Sequence, residues 1–419
     1  MRNMKKCFCL FLTAVLLPAL LIPAASAEKE EKSLSGKTKL TTDFFGTVSA
    51  MYVWDDFSDP TVERRFQAVW DEAKAMLTEI ENAVSVSQEN SDIARFNRLR
   101  EGESVEISEH TAKLIRTAKT VYGKTGGLYD PSVFPLVDLW GFSPRFSGVE
   151  GGGEKPLSQT YPPEDEYREA FAQLADFSGV ELSGGDGEAW TLTKRIPAVT
   201  VYGQQFDAQL DLGGIAKGYA AAAVTALMAE RGIKYGYFNC GGSSLSLMQG
   251  RPTDGDCFFL GIRKPRGEPG DNINYMTVPV ANCALSTSGD YDHCRLVDGV
   301  RWCHIIDPNT GWPANTPAVE GRQRGIATAT VIGPDAAYAD CVSTALCLMQ
   351  PADALDFVNR ELRDCKVVFV LFESGEDTYE VITNMPPENY SIDDTAYHVT
   401  SVVQDDETIY TGVRFADLF

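Results

Sequence analysis

The chain has 419 residues, of which 44% are hydrophobic, and carries a formal net charge of −22 at pH 7. This apolar content excludes an intrinsically disordered chain and supports a large core, in one big domain or two. The acidic balance argues against nucleic acid and anionic membrane surfaces as partners, because both recruit basic patches.

The N-terminus predicts an export signal. Three basic residues precede an apolar run at residues 7–22, and Ala25 and Ala27 form a small-residue cleavage site. The run is short for a membrane span, which takes about 20 residues. We therefore expect residues 1–27 to be removed, which would take the net charge from −22 to −25. The mature protein would then be periplasmic or otherwise extracytoplasmic, with no membrane span of its own.

The body of the chain alternates strand-like and helix-like segments. Residues 28–43 are charged and predict a linker, and β-branched and aromatic residues at 44–54 predict a first strand. Gly, Pro and Ser at 143–165 predict an exposed excursion, and no motif assigns the tail after about residue 374. Helices are predicted at 60–84, 110–122, 165–175, 215–231, 338–349 and 351–362.

The stretch from Asp211 to Lys217 reads DLGGIAK, between a strand and a helix expected to begin near Ile215. It matches neither the Walker loop nor the dinucleotide fingerprint. Amides at a helix start favour anionic oxygens, whereas a lysine in the first turn is disfavoured by the helix dipole. Lys217 is therefore either a partner for a phosphate or carboxylate, or a solvated side chain beside a tight turn.

Asp340 and Thr344 lie four residues apart in a predicted helix, so their oxygens share one face. A carboxylate and a hydroxyl without nitrogen or sulfur ligands suit Mg²⁺. The alternative is an N-cap aspartate and a threonine bonded to its own helix.

His304 ends a strand-like segment that leads into the turn sequence DPNTG, and with a pKa near neutrality it could act as a base. It could equally be a structural strand histidine. The segment 287–289, Thr-Ser-Gly, offers hydroxyls that could hold phosphate or sugar, with Ser288 as the candidate contact, or it could form only a turn.

Eight cysteines remain after removal of the signal, and all lie in the second half of the chain. Export favours disulfides, whereas buried free thiols are an equally good interpretation, and the sequence leaves both open. The eight are Cys240, Cys257, Cys283, Cys294, Cys303, Cys341, Cys347 and Cys365.

Taken together and in this order, these segments resemble the ApbE-type flavin transferases, which move FMN from FAD onto a threonine or serine of an acceptor protein. The resemblance runs from about residue 44 to 350. The matching blocks are FGT at Phe45, SDIARFN at Ser91, GGLYDPSVFPLVDLWGF at Gly126, DLGGIAKGYAA at Asp211, NCGGSS at Asn239, STSGDY at Ser286, HIIDPNTGWP at His304 and ADCVSTALCLM at Ala339.

The resemblance implies an α+β fold: one large, two-lobed, T-fold-related domain at 44–419, with mixed and antiparallel sheets flanked by helices. It implies FAD as substrate and Mg²⁺ as the metal. Metal ligands would be Asp340, Thr344 and the Gly214 carbonyl. The implied FAD contacts are Leu128, Tyr129, Asp130, Asp211, Lys217, Ser288 and His304, and the catalytic set is His304, Asp211 and Lys217.

Two positions depart from the family pattern. Phe45 stands where the family often has methionine, and Ser87 stands where an aromatic residue usually precedes the S-[DE]-I block. Both positions would contact the isoalloxazine or adenine ring.

The implied reaction is FMN transfer to an acceptor hydroxyl with release of AMP. The acceptor would be a flavoprotein subunit with a D-G-[AS]-[ST]-G-[AS]-T motif, for example in a membrane redox complex. Two alternatives stay open: an FAD pyrophosphatase that uses water as nucleophile, and a non-catalytic FAD-binding protein.

Overall fold

The computed structural model describes residues 34–143, 157–158, 160–265, 273–291, 293–314, 325–371, 379–394 and 396–402. The predicted signal segment 1–27 and part of the 143–165 stretch lie outside them. The described residues form eight α-helices and nineteen β-strands, so the α+β class expected from the sequence is confirmed.

Six of the eight described helices begin and end within three residues of the predicted limits, whereas the two six-residue helices, α2 and α4, were not predicted. The longest starts at Pro60, and the Asp59 carboxylate caps it by accepting the Thr61 amide at 2.7 Å. The helices are α1 (Pro60–Val84), α2 (Asp92–Asn97), α3 (Glu109–Lys124), α4 (Phe134–Leu139), α5 (Asp165–Ala172), α6 (Gly213–Glu230), α7 (Ala336–Leu346) and α8 (Pro351–Glu361).

The strands are short, apart from the first two. They are β1 (Ser35–Phe44), β2 (Thr47–Asp55), β3 (Ser104–Ile107), β4 (Val180–Gly185), β5 (Glu188–Lys194), β6 (Val199–Val201), β7 (Gln204–Phe206), β8 (Tyr235–Cys240), β9 (Ser244–Leu247), β10 (Phe258–Arg263), β11 (Asn274–Val280), β12 (Cys283–Gly289), β13 (Cys294–Val297), β14 (Val300–Cys303), β15 (Ile326–Gly333), β16 (Lys366–Leu371), β17 (Tyr379–Thr383), β18 (Ser391–Ile392) and β19 (Tyr397–Ser401).

Nine strands form the central sheet, in the order β1-β2-β8-β9-β12-β15-β16-β17-β19. Neighbours are antiparallel except for the parallel pair β17 and β19. Smaller sheets contain β10-β11-β18, β3-β5-β4, β13-β14 and β6-β7.

The central sheet is covered on both faces. Along β16, Val367 and Phe369 join the core cluster formed with the helices, whereas Val368 and Val370 join the cluster that includes β10 and β11 residues. This is the period-2 alternation of a strand buried on both faces.

Helix α6 is buried between α1 and α7, and it carries the glycine-rich stretch at its start. Ala220 and Val224 share a core cluster with Phe66 of α1. A side-chain carbon on Gly218 would lie 2.1 Å from the Ala336 carbonyl oxygen. Only glycine therefore allows α6 and α7 to approach this closely.

The structure corrects three expectations about elements. Residues 35–43, predicted to be linker, belong to β1, whose Lys37 and Lys39 bond to Glu63 and Gln67 of α1. The first predicted strand is divided by a turn at Phe45, where φ is +53°. The tail contributes β17 and β19 to the central sheet and β18 to a smaller one.

In the part of the chain that the structure describes, no helix combines the length and apolar character needed to cross a bilayer.

Candidate active site

Asp340 lies at a junction of four elements, on the face of α7 that meets α6, β9 and β12. Its Oδ2 accepts the Gly218 amide at 2.9 Å, and its Oδ1 accepts the hydroxyls of Ser244 at 3.0 Å and Ser286 at 2.8 Å. The side chain is 4% exposed. Three donors from three elements fix the carboxylate in one orientation.

Thr344 lies one turn further along α7 and extends the same polar face. Its Oγ1 lies 3.0 Å from Ser288 Oγ, and Ser288 Oγ lies 2.8 Å from Ser343 Oγ. Ser286 and Ser288 are two residues apart in β12 and therefore point to the same side of the sheet. The structure thus brings Asp340, Thr344 and Ser288 together, as the sequence predicts.

The start of α6 faces this hydroxyl cluster. A side-chain carbon on Gly214 would lie 3.9 Å from Thr344 Oγ1 and 3.4 Å from Tyr129 Cε2. The Gly218 amide, one turn further along α6, donates to Asp340 Oδ2 at 2.9 Å and so joins the helix start to α7.

Asp211 and Lys217 both bond to Gly213, the first residue of α6. Asp211 Oδ1 accepts the Gly213 amide at 2.8 Å, and Lys217 Nζ donates to the Gly213 carbonyl at 3.1 Å. Burial raises the pKa of the Asp211 carboxyl, while the Gly213 amide and Lys217 lower it. Asp211 thus closes the turn that leads into the helix, and one amide expected to meet an anionic ligand is bonded within the protein.

His304 follows β14 and packs against His293, with ring centroids 5.2 Å apart. Its Nδ1 lies 3.2 Å from the His293 carbonyl oxygen. A carbonyl only accepts, so Nδ1 carries the proton and Nε2 holds the lone pair. Burial, with His293 and Lys217 nearby, lowers the pKa of His304 to about 3. The expectation of a pKa near neutrality is therefore wrong for the ligand-free protein.

Tyr129 and Asp130 occupy one buried turn with different environments. Tyr129 packs over Gly214, and burial raises its pKa well above the ordinary value. Asp130 Oδ1 accepts the Ser132 amide at 2.7 Å and its hydroxyl at 2.5 Å, and Oδ2 accepts the Phe177 amide at 3.2 Å. Burial raises the pKa of Asp130 to about 6. The Asp130 carboxylate therefore stabilises the turn in which it lies. Leu128, two residues earlier, is half-buried.

The two departures from the family pattern lie in loops. Phe45 is half-buried at the β1–β2 turn, and its amide donates to Glu81 Oε1 at 2.8 Å. Ser87 is exposed after α1, where its amide donates to Ser85 Oγ at 3.2 Å. Among the described residues, neither Phe45 nor Ser87 forms a hydrogen bond to the Asp340 cluster.

The sequence interpretation missed the residues that support the site. Ser244 and Ser286 hold Asp340, and Asn97 pairs with Leu210 through both amide atoms, at 2.7 and 2.9 Å, just before the glycine-rich stretch. All three lie inside the matching blocks. Their partners are far away in sequence, however, so local spacing gave no sign of these roles.

The side chains that bond to Asp340 and Thr344 are hydroxyls, so the side-chain groups of this cluster are a carboxylate and hydroxyls. Among the described residues, no three His, Cys, Asp or Glu side chains cluster as a metal site. An oxygen-only set on a hydroxyl-rich face nevertheless fits a hard divalent cation such as Mg²⁺, which is completed by water and phosphate oxygens.

The fold and site define an α+β protein with a cluster of carboxylate and hydroxyl oxygens at the junction of two helices and a sheet. The ApbE family model matches residues 45–369. The chain belongs to the ApbE family.

Curated relatives match over most of their length. One from Haemophilus influenzae is 27% identical over 352 residues, covering 83% of this chain and 90% of the relative. One from Salmonella typhimurium is 29% identical over 293 residues, covering 70% and 73%. Both are named FAD:protein FMN transferase.

Solved structures agree in fold. The flavin transferase ApbE from Vibrio cholerae has a TM-score of 0.63 at 23% identity, covering 84% of this chain and 97% of that one. The ApbE protein from Thermotoga maritima has a TM-score of 0.62 at 26% identity, covering 80% and 94%.

Proposed function

We propose that this protein is an FAD:protein FMN transferase that uses Mg²⁺ to move FMN from FAD to a threonine or serine hydroxyl of an acceptor flavoprotein, releasing AMP. The observation that carries the proposal is the junction at Asp340, where α7, β12 and the start of α6 converge on one set of oxygen donors. Family membership and the names of the relatives support the same activity.

Mg²⁺ would be held by Asp340, Thr344 and the Gly214 carbonyl. When bound, the ion supplies positive charge that offsets the charge developing on phosphate oxygens. Asp340 is already oriented by three hydrogen bonds, so little rearrangement is needed to present an oxygen to a cation. Ser288 places a further hydroxyl beside Thr344.

Lys217 is the cation that this chain supplies to the diphosphate of FAD. In the ligand-free protein Nζ donates to the Gly213 carbonyl, a bond that a phosphate oxygen can replace with a stronger, charge-assisted one. Asp211 holds the helix start in place. On the flavin side, Leu128 and Phe45 are half-buried and offer apolar surface, and Tyr129 packs against Gly214 at the helix start.

His304 is the candidate general base. The bond from Nδ1 to the His293 carbonyl aims the lone pair away from the hairpin and keeps Nε2 available. In the proposed reaction the acceptor hydroxyl oxygen forms a bond to the FMN phosphorus, and the bond from that phosphorus to the bridging oxygen breaks. The hydroxyl proton passes to His304 Nε2, and AMP leaves with the bridging oxygen. A bound diphosphate would raise the pKa of His304 from its ligand-free value, because anions stabilise the imidazolium form.

Water in place of the acceptor hydroxyl would give the alternative activity, an FAD pyrophosphatase that yields FMN and AMP. A non-catalytic FAD-binding protein is the other alternative. The presence of Asp340, Thr344 and an oriented His304 favours catalysis over storage.

The proposal extends to location and partner. The export signal predicted at residues 1–27 would place the enzyme outside the cytoplasm, where its acceptor would be a subunit with a D-G-[AS]-[ST]-G-[AS]-T segment. The net charge of −22 argues against nucleic acid as a partner.

The test is incubation with FAD, Mg²⁺ and an acceptor domain that carries such a segment. Acid-stable flavin fluorescence should appear on the acceptor, and it should be absent when the acceptor threonine is replaced by alanine or when the metal is chelated. Release of FMN and AMP without labelling of any acceptor tried would favour the pyrophosphatase.

A further inference from the structure

The hairpin formed by β13 and β14 places two cysteines opposite each other. Its two-residue turn, Asp298 and Gly299, has φ of +52° and +79°, the positive pair that defines a type I′ turn. The strand register runs from Val297 opposite Val300 to Cys294 opposite Cys303. The turn fixes this register, so the two cysteines are cross-strand partners.

The hydrogen-bond pattern shows which kind of pair they form. The His304 amide donates to the His293 carbonyl at 3.0 Å, which makes residues 293 and 304 a hydrogen-bonded pair. Pairs alternate along an antiparallel ladder, so Cys294 and Cys303 are a non-hydrogen-bonded pair, with Cα atoms about 4.5 Å apart. That separation lies within the range that a disulfide spans, roughly 4.4 to 6.8 Å.

The two sulfurs differ in access. Cys294 is half-buried, and its Sγ accepts from Arg301 Nη1 at 2.8 Å and donates to the Tyr291 carbonyl at 3.4 Å. Cys303 is 1% exposed, with Sγ directed at the Ile305 and Ala314 carbonyls. An oxidant in solution therefore reaches Cys294 first.

We propose that Cys294 and Cys303 form a reversible cross-strand disulfide, a redox modification site one residue pair away from His304. The oxidant is a small-molecule or protein disulfide. The Cys294 thiolate attacks it and releases one thiol, forming a mixed disulfide. Cys303 then attacks the Cys294 sulfur and releases the second thiol. Two cysteine thiols are oxidised to one disulfide, and the oxidant is reduced to two thiols.

The disulfide would affect the neighbouring residue pair, His293 and His304. It ties the two strands together beside this pair and so holds the His293 carbonyl, which accepts the hydrogen bond from His304 Nδ1. Among the described residues the hairpin pairs with no third strand, so the disulfide would reinforce a ladder of four residue pairs.

The test compares the protein reduced with dithiothreitol and the protein oxidised with oxidised glutathione. Free thiols are alkylated, and the chain is cut with trypsin without reduction. Trypsin cleaves after Arg295 and Arg301, so the Cys294 and Cys303 peptides stay together only through a disulfide. We expect this linked pair in the oxidised sample, with Cys283 on the same peptide alkylated.

Two further measurements report on formation of the disulfide. Oxidation should raise the thermal midpoint by about 3 °C and slow hydrogen exchange at the His304 amide roughly threefold. Cys294→Ser should lose both effects. Cys257→Ser, a half-buried cysteine outside the hairpin, should keep them.

Alkylation of both Cys294 and Cys303 after oxidation would overturn the proposal. A disulfide from Cys303 to Cys347 would also overturn it. These two cysteines are neighbours, since Cys303 contributes to the raised pKa of Cys347. The test reads thiols and not flavin transfer, so its outcome is independent of the proposed enzymatic function.

Discussion

Asp340 and Asp130 are both buried aspartates inside blocks that resemble flavin transferase motifs, yet their surroundings differ. The donors to Asp340 come from Gly218, Ser244 and Ser286, on three separate elements. The donors to Asp130 come from Ser132, in the same turn, and from Phe177. Asp340 therefore joins four elements, whereas Asp130 closes its own turn and ties that turn to the segment that begins at Phe177.

The difference teaches that burial and motif membership do not by themselves give an acid a chemical role. Next to Asp340, Thr344 and Ser288 add hydroxyls to the same face of the junction. Both oxygens of Asp130 accept backbone amides. Substitutions in the Asp340 junction should therefore reduce transfer, and substitutions in the Asp130 turn should reduce stability.

The largest effect is expected for Asp340→Asn. The amide keeps the shape and can still accept from Gly218 while donating to the two serines, but it loses the charge that holds a cation. Transfer should fall by at least about 1000-fold, with the thermal midpoint within a few degrees of wild type, measured by labelling rate and calorimetry. Undiminished labelling with the metal chelated would contradict the assignment.

His304→Asn should reduce kcat by about 100-fold, the lower end of general-base contributions. The asparagine amide can still donate to the His293 carbonyl, whereas the lone pair of Nε2 is gone. Steady-state kinetics should show KM for FAD nearly unchanged. A loss confined to KM would make His304 a binding residue instead.

Lys217→Met should weaken FAD binding by about tenfold, the value of one charge-assisted hydrogen bond. The control is Lys113→Met, which removes an exposed lysine of α3 that pairs with Glu109. Titration calorimetry with FAD would measure both variants. Equal affinities in the two would show that Lys217 is a solvated side chain.

Asp130→Asn should leave kcat of the folded enzyme within about twofold of wild type while removing about 1–3 kcal/mol of stability, because an amide nitrogen would face a backbone donor. Chemical denaturation measures the second quantity. A large loss of kcat at unchanged stability would show that Asp130 acts in catalysis. Its role would then not differ from that of Asp340 in the way described above.

The smallest effect concerns pH and stability. The pKa of His304 is lowered to about 3, below its ordinary 6.5. The unfolded chain therefore binds more protons between these values, and native stability falls as pH falls through that window. Between pH 7 and pH 5, the thermal midpoint of wild type should fall by more degrees than that of His304→Asn. Equal losses would contradict the buried, neutral imidazole.

Much of the fold follows from local patterns. The apolar spacing of α1 predicts that helix at its observed bounds, and the glycine turn predicts the start of α6 within two residues, since both signals are local to their segments. The strand β1 was missed because Lys37 and Lys39 resemble a solvated linker until α1 supplies Glu63 and Gln67 as partners.

The site was predictable where its residues share one element. Asp340 and Thr344 are one turn apart, so helical geometry places them together. The Ser244 and Ser286 bonds to Asp340 join residues 96 and 54 positions apart. The lowered pKa of His304 arises from burial against a hairpin. Neither the serine bonds to Asp340 nor this lowered pKa has a local pattern in the sequence.

The central claim is tested most directly by measuring AMP, acceptor-bound FMN and free FMN together in one reaction with FAD, Mg²⁺ and an acceptor domain. A transferase predicts one bound FMN for each AMP, an acceptor mass increased by FMN less one water, and little free FMN. Equal AMP and free FMN with an unmodified acceptor would contradict it.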